Sequence, residues 1–543
     1  MRRNYLASLS LSAFTLFASQ VYAGGGQPAN PPSVVVRVAS LDVLLKNLNL
    51  VVKLVGQEEA AHQIEGLVKS RIGKKGLEGI DLTRPIGVYV RFGKTIDEIN
   101  GAMLVPLVDS KALLNLLDNL GVKYEKDQNG IYTYKSDQNV DVYFRFAKNY
   151  LFITAGKTDS IETKNLPDPA KALAIPKSAA ISIVARLDQV PEAAKLIALG
   201  KLDDVIQTAQ KKAQPGETKM QEAFRVAFLR EAQRLGGALV RDAREVRFDL
   251  DVNDKTKEMT VNLAVSGKPG SDLAKTIQGI ANLKSPLAGP LNKDAAFHGA
   301  FHLALPDTLN KAFGGVVDEA VKNSLDGIQK PEKKKQAKAL FDALMPSAKS
   351  GELQVVATVL GPRDGHYAFV GAVKVKEGEK LGKTITEMIK EALNDIPPAE
   401  RGKIQLDFSN ASAIKIHRFQ LPRDAKSGVF FDKVAGDDHL HVAFRNDALF
   451  VALGKDSLAS LKAALAKTDA VASLPFVFDF DVARMAKLMA QNEEQRTLAT
   501  KLFPPGKTGR LRMTITGGST LTARLEMQLN VLEFLVKMQK KEQ

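Results

Sequence analysis

The sequence predicts an α+β fold that is internally duplicated, with antiparallel β-hairpins and sheets packed against amphipathic helices. Three observations support it: a hairpin pattern recurs 298 residues further along the chain, a strand runs directly into a helix at four places, and the strands alternate apolar with polar positions. Half-polar strands are typical of antiparallel sheets whose faces differ in environment. A doubly wound parallel sheet is the alternative.

Residues 1–23 are predicted to be an export signal. Arg2 and Arg3 precede an apolar stretch from Leu6 to Ala18, and a small-residue cleavage pattern ends at Ala23. The stretch is shorter than the roughly 20 residues that a spanning helix needs. Residues 24–32 are predicted to be a flexible segment. We therefore expect an exported protein, periplasmic or secreted, through either the general or the twin-arginine route.

The repeated hairpin occupies residues 142–157 and 440–455. An offset of 298 aligns Leu151-Phe152 with Leu449-Phe450, and it aligns the polar turns Lys148-Asn149 and Asn446-Asp447. An offset of 300 is the alternative, because it aligns Phe144-Arg145 with Phe444-Arg445.

Four strands that lead directly into helices divide the chain further. They begin at Val34, Ile181, Ala300 and Phe476. We predict two homologous halves, 33–285 and 294–543, joined by a linker at 286–293. The first half comprises units at about 33–175 and 178–285, and the second comprises units at about 294–470 and 474–543.

A helix is predicted upstream of the Val246 strand. Its start is indicated by a capping box formed by Thr218 and Gln221. An apolar stripe along the helix comprises Met220, Phe224, Phe228 and Leu235. The helix is expected to end at Gly236-Gly237.

Two histidine pairs have spacings that suggest metal ligands, but neither pair is predicted to bind a metal. His439 and His441 lie on one face of a strand, and Asp437 and Asp438 precede them. At the offset of 298 the histidines align with Asp141 and Tyr143. Because the residue types differ so much, we expect this face to point outward, where many residue types are tolerated. His298 and His302 belong to a strand, which places them roughly 13 Å apart. No metal site is predicted.

Two further motifs are incomplete. The start of a calcium loop is resembled by Asp249, Asp251 and Asn253, but Asp254 stands where the loop requires glycine. We expect a strand here instead, with Phe248, Leu250 and Val252 on its inward face. The segment 378–384 is one residue shorter than a phosphate-binding loop, and the related segment 270–276 lacks the second glycine. No nucleotide cofactor is predicted.

The composition excludes several kinds of chemistry. The 543 residues include no Cys and no Trp, which removes disulfides, thiol nucleophiles, cysteine zinc sites and iron–sulfur ligation. No nucleophile–base signature is present. We therefore assign no catalytic, cofactor-binding or metal-binding residue, and an enzyme is less favoured than a binding protein.

The segment 101–160 resembles a group of exported bacterial proteins that carry a domain of unknown function. The resemblance rests on the strand ending Val105-Pro106-Leu107-Val108-Asp109, the helix 111–120, the strand 131–134 and the hairpin ending at Ile153. It implies an envelope or secreted setting and transfers no catalytic residue.

The charge indicates which partners to expect. Without Arg2 and Arg3 the chain has 74 basic against 61 acidic residues, a net charge of +13. Outside the cytoplasm this favours anionic envelope components or lipid over nucleic acid. The first hypothesis is thus a non-enzymatic binding or structural protein of the envelope. The alternatives are a carrier of an apolar, lipid-like ligand between duplicated halves, and a hydrolase with an unrecognised site.

Overall fold

A computed structural model describes residues 31–54, 79–95, 98–119, 121–135, 140–174, 179–212, 216–287, 295–490 and 492–539. The predicted signal 1–23, nearly all of the segment 24–32 and most of the linker 286–293 lie outside the described residues. The described residues form a mixed α+β structure in which every named strand pair is antiparallel, so the parallel alternative is wrong.

The chain divides into two compact units. Of the described residues, the first contains those within 31–201, 238–274 and 535–539, and the second contains those within 202–237 and 275–534. This division is not a single cut, because residues 202–237 are grouped with the later part of the chain. The predicted halves 33–285 and 294–543 stay a prediction.

The strands of the first unit form one antiparallel ladder. In chain order they are β1 Val34–Val38, β2 Ile86–Phe92, β3 Ile99–Pro106, β4 Glu125–Lys126, β5 Tyr132–Lys135, β6 Asp141–Ala147, β7 Tyr150–Ala155, β8 Ile181–Arg186, β9 Ala243–Asn253 and β10 Glu258–Gly267. Their spatial order is β10-β9-β8-β1-β2-β3-β7-β6-β5-β4.

The strands of the second unit have the same arrangement. They are β11 Ala295–Ala304, β12 Glu352–Arg363, β13 His366–Lys374, β14 Ile404–Ala411, β15 Ile414–Gln420, β16 His439–Arg445, β17 Ala448–Gly454, β18 Phe476–Asp481, β19 Arg510–Thr516 and β20 Leu521–Gln528. Their spatial order is β20-β19-β18-β11-β12-β13-β17-β16-β15-β14. Each strand of the first unit thus has a counterpart ten strands later. A separate two-residue ladder joins Lys284–Ser285 to Val471–Ala472.

The helices fall at corresponding points between these strands. They are α1 Leu41–Leu54, α2 Ser110–Asn119, α3 Pro169–Ala172, α4 Glu192–Lys211, α5 Lys219–Asp242, α6 Asp272–Ala281, α7 Asp307–Asp326, α8 Pro331–Ala348, α9 Gly378–Asp395, α10 Pro398–Arg401, α11 Ala425–Phe430, α12 Ser457–Leu465, α13 Val482–Met489, α14 Glu493–Leu502 and α15 Leu529–Gln539. For example, α2 follows β3 as α9 follows β13, and the pair α4 and α5 follows β8 as α13 and α14 follow β18.

The repeated hairpin has the same pairing register in both units. Val142 pairs with Ala155 in the first unit, and Leu440 pairs with Leu453 in the second. The two-residue turns are Lys148-Asn149 and Asn446-Asp447, as predicted. The two pairing registers therefore correspond at an offset of 298 and not at 300, and the duplication itself stays a prediction.

The predicted helix before β9 is present but longer than expected. The capping box is confirmed, because the Thr218 N–H donates to Gln221 Oε1 at 3.0 Å and the Gln221 N–H donates to Thr218 Oγ1 at 3.3 Å. Gly236-Gly237 does not end α5, which continues to Asp242. A side chain at Gly236 would contact Leu202, so this glycine permits close approach of α4.

The main core of each unit lies on one face of its sheet, the covered face, and a smaller buried cluster lies against one end of the opposite face, around Leu113 in the first unit and Leu381 in the second. In the first unit, Leu173, just beyond α3, packs against Val35, Tyr89, Leu104 and Phe152. In the second, Leu461 and Leu465 of α12 pack against Val356, Ala372 and Phe450. Phe152 and Phe450 are related by the offset of 298, so the two cores are centred on corresponding strand positions.

Candidate ligand-binding face

The second unit carries an apolar surface on the sheet face opposite its core. Because neighbouring strands are in register, side chains from seven strands form rows across this face. The first row comprises Leu525, Met513, Phe478, Gly299, Ala357, Gly371 and Val451. The second comprises Ala523, Ile515, Phe476, Phe301, Val355, Val373 and Leu449. We call these two rows, together with Leu303 and Leu353, the open face of the second unit.

Several side chains of the open face are exposed to solvent. Leu353 is 47% exposed, Leu303 is 40% exposed, and Phe301 and Val451 are each 37% exposed. On the opposite side of the same strands, Val356 and Phe450 are buried. At one end, α8 and α9 do cover this face, because Gly382 lies against the ring of Phe444 and Leu449 packs against the buried cluster of Ala343 and Leu381.

The first unit has an equivalent open face. Its corresponding row comprises Leu263, Phe248, Ile183, Val36, Val88, Met103 and Ile153, which is the open face of the first unit. Leu263 is 47% exposed and Ile183 is 39% exposed, whereas Met103 and Ile153 at the other end of the row pack against a buried cluster that includes Leu113 of α2. Exposed apolar surface that is continuous across strands is uncommon in a protein without a ligand or partner for it.

Some polar side chains of these strands lie on the covered face, and Ser182, Asp249 and Arg247 contact one another there. In the first unit, the hydroxyl of Ser182 donates to Asp249 Oδ1 at 2.6 Å, and Arg247 lies 2.7 Å from the same carboxylate. The predicted inward face of β9 is therefore wrong: Asp249 is buried, whereas Phe248 belongs to the open face. This hydrogen bond and this ion pair offset the free-energy cost of burying these polar groups.

The strand of His439 and His441 is also oriented differently from the prediction. His441 is buried, with Nδ1 3.2 Å from Ser457 Oγ, so its face is not the loosely specified outward one. Burial is the main reason that the pKa of His441 is lowered. The ring therefore serves as a neutral, hydrogen-bonded core residue.

The acidic residues beside this strand form a small cluster with His439. One ligand atom from each of Asp437, Asp438 and His439 lies within 4.8 Å of the others. However, Arg423 Nε donates to Asp438 Oδ2 at 2.7 Å, and His439 Nδ1 is 2.6 Å from Asp437 Oδ1. These pairs neutralise the cluster, so we assign no metal to it.

His298 and His302 have separate partners in β11. His298 Nδ1 is 3.0 Å from Thr358 Oγ1, and burial lowers the pKa of His298. His302 Nε2 is 3.0 Å from Glu352 Oε1, and the same carboxylate accepts from Lys374. The strand predicted here is confirmed.

The glycine-rich segment 378–384 forms the start of α9, where its glycines serve packing. A Cβ at Gly378 would lie 2.1 Å from the carbonyl oxygen of Arg445, and a Cβ at Gly382 would lie 2.7 Å from the Phe444 ring. The glycines thus let the helix approach the β16–β17 hairpin closely.

One polar cavity escaped the sequence analysis. His417 lines a space of about 360 Å³ between α9 and the β14–β15 hairpin. The backbone N–H of Asp407 donates to His417 Nδ1 at 3.2 Å, and the Asp407 carboxylate is 2.6 Å from Lys415 Nζ. Asp407 has φ of 55° at a register shift in the ladder, so His417 satisfies an N–H that the bulge removes from pairing. A structural role accounts for this arrangement.

Comparison with family models, with curated proteins and with solved structures gives no match to this chain. The resemblance of segment 101–160 to exported proteins stays a prediction. Among the described residues, no helix combines the length and apolar character needed to cross a bilayer.

Proposed function

We propose that this chain is an exported, non-enzymatic carrier that holds acyl chains of an amphiphile against its open faces. The observation that carries the proposal is the open face of the second unit: two rows of apolar residues across seven strands, with side chains up to 47% exposed at Leu353. Export and an envelope location are parts of this proposal that rest on residues 1–23.

The chemistry of the open faces favours an acyl chain over a protein partner. Protein interfaces carry about one hydrogen bond per 100–200 Å², and so need polar side chains within them. Neither the two rows of the second unit nor the row of the first unit contains a polar side chain, and backbone groups of these strands are paired within the sheet. An acyl chain needs no hydrogen bond, and its burial is favourable by about 25 cal/mol per Å².

The dimensions of an open face suit such a ligand. Seven strands about 4.8 Å apart give a surface on the order of 30 Å across, whereas one leaflet of a bilayer core is about 15 Å thick.

The proposal includes duplication of an ancestral unit. Ten strands follow one another in the same spatial order in each unit, and the open faces fall on corresponding rows, with Ile153 and Val451 related by the offset of 298. Duplication explains why both units would offer the same kind of surface, and it predicts at least two acyl-binding sites per chain.

The test is binding of a fluorescent fatty acid to the purified protein, followed by mass spectrometry after exposure to envelope lipid. Leu353→Glu places a charge on the open face of the second unit, and Leu263→Glu does the same in the first. Each is expected to weaken binding at its own unit at least tenfold, because a carboxylate in the acyl site costs several kcal/mol.

Matched controls separate this effect from a general effect of charge. Val429→Glu in the second unit and Val108→Glu in the first alter residues that are 53% and 76% exposed and lie outside the open faces. These controls should bind like the unaltered protein. An unaltered protein that recovers no lipid and binds no fatty acid would rule the proposal out.

A further inference from the structure

A second binding feature lies in the first unit, away from its open face. A cavity of about 530 Å³ is bordered by β1, the start of β2, the β6–β7 turn and α3. Its charged residues are Arg37, Arg84, Lys148 and Asp168. Apolar walls are supplied by Pro85, Pro169, Leu173 and Ala174.

The charge of this cavity is strongly unbalanced. Three cations face one carboxylate, which gives a formal charge of +2. That carboxylate already has a role, because Asp168 Oδ1 accepts the N–H of Ala170 at 2.9 Å and caps α3. Arg84 Nε lies 4.0 Å from Asp81 Oδ2, outside the cavity lining, whereas Arg37 and Lys148 have no ion-pair partner among the described residues.

Arg37 is the least satisfied of the three cations. It is half-buried in β1, and its Nε is buried without a hydrogen-bond partner. Among the described residues, no carboxylate oxygen lies within ion-pair distance of its guanidinium. Burial lowers the pKa of Arg37 below its ordinary value, yet a guanidinium remains charged in proteins. An anion beside this half-buried guanidinium would offset the cost of removing its charge from water.

Arg84 and Lys148 are held in place at the other side. The guanidinium of Arg84 lies 4.5 Å from the centre of the Tyr150 ring, and the Tyr150 hydroxyl donates to the carbonyl oxygen of Pro85 at 3.2 Å. Lys148 Nζ donates to the carbonyl oxygen of Leu166 at 3.0 Å. Fixed donors lose little conformational entropy when a ligand binds.

We propose that this cavity binds the phosphate group of an organic phosphate. A charge of +2 suits a dianion better than a carboxylate with a single charge, and guanidinium groups match phosphate geometry with two parallel hydrogen bonds. The volume leaves room for an attached organic group against Pro85 and Leu173. This inference is independent of acyl binding at the open faces.

Isothermal titration calorimetry in phosphate-free buffer tests it with three probes: inorganic phosphate, glycerol 3-phosphate and phosphatidic acid vesicles, with phosphatidylcholine vesicles as reference. Arg37→Gln and Arg84→Gln should each weaken binding at least tenfold. Lys164→Gln removes the same charge from a side chain that is 78% exposed and outside the cavity, so it should leave binding unchanged.

The probes also distinguish the source of the phosphate group. Binding of glycerol 3-phosphate indicates a soluble ester, whereas binding of phosphatidic acid vesicles alone indicates a lipid headgroup; both support the site if the arginine variants lose it. Glycerol 3-phosphate has no acyl chain, so its result does not depend on the open faces. Because Arg84 is partly exposed, Arg84→Gln should unfold at the same urea concentration as the unaltered protein, so that its loss of binding is not a loss of folding. Absence of binding to all three probes, or equal loss in Lys164→Gln, overturns the proposal.

Discussion

Individual glycines determine how closely helices approach the sheet of the second unit. Gly378 begins α9 directly against the backbone of Arg445, where a Cβ would lie 2.1 Å from the carbonyl oxygen. Gly279 in α6 has open space around it. Glycine is therefore required for close packing at position 378 and is not required for packing at position 279. The sequence alone does not distinguish these two roles.

Replacement of these glycines by alanine should separate the two roles. Gly378→Ala is expected to lower the free energy of unfolding by about 1–3 kcal/mol, because the helix or the hairpin must shift. Gly279→Ala is expected to raise it by about 0.5–1 kcal/mol through lower backbone entropy of the unfolded chain. Urea unfolding measures both changes, and equal shifts of one sign would contradict the packing argument.

Buried histidines give the second unit a dependence on pH. The pKa values of His298, His417 and His441 are lowered from 6.5, with burial as the main cause. Below about pH 6.5 the unfolded chain binds protons that the folded chain does not, so stability is expected to fall as pH decreases from 7.5 towards 5.

The contribution of one histidine can be isolated by substitution. His298→Gln should flatten the fall of the urea midpoint between pH 7.5 and 5, because one of the protons bound on unfolding is removed. Between pH 8 and 9 the difference between the variant and the unaltered protein should stay constant. A slope that is identical with and without His298 would contradict its role.

At the scale of elements, the β14–β15 hairpin has a strained turn. Ser412 and Ala413 have φ of 47° and 66°, a left-handed conformation that costs most residues with a Cβ about 1 kcal/mol or more. The first unit's Lys148-Asn149 turn has the same left-handed pair. Such turns fit the twist of antiparallel strands, which is why both hairpins have only two turn residues.

Substitution in this turn should therefore increase stability. Ala413→Gly is expected to raise the free energy of unfolding by about 0.5–1 kcal/mol, since glycine adopts the left-handed conformation without strain. Ala411→Gly, two residues earlier in β14, should lower it, because glycine weakens a strand. Thermal unfolding of the two variants provides the comparison, and destabilisation by Ala413→Gly would be the contrary result.

Elements set by local sequence were predicted well. The capping box of Thr218 and Gln221 and the turns of the repeated hairpin depend on residues a few positions apart, so the sequence contains the necessary information. The end of α5 was mispredicted at Gly236-Gly237, because Gly236 is used for packing against Leu202. Packing partners distant in the chain overrode a local stop signal.

At the scale of the whole molecule, the two units have the same strand order and corresponding core positions. Phe152 and Phe450 are both nearly inaccessible to solvent and lie on the covered face of their sheets. Each should therefore make a similar contribution to its own unit.

Truncation of these two residues tests that equivalence. Phe152→Ala and Phe450→Ala should each cost about 3–5 kcal/mol, through lost burial and a residual cavity. Hydrogen exchange is expected to detect faster amide exchange in β2 and β3 for the first variant, and in β12 and β13 for the second. Unchanged protection in those strands would contradict the assignment of the cores.

The sequence by itself determined the two hairpins, their turns and the antiparallel, mixed α+β character, because alternation and turn residues are local properties. Only the tertiary structure decided which parts of each sheet face the helices cover. Alternation of apolar and polar residues divides a strand into two faces but does not specify what packs on either face. For this reason the predictions that Phe248 faces the core and that His441 faces solvent were wrong. Burial of Asp249 and His441 depends on Ser182 and Ser457, and the fold alone brings these partners together.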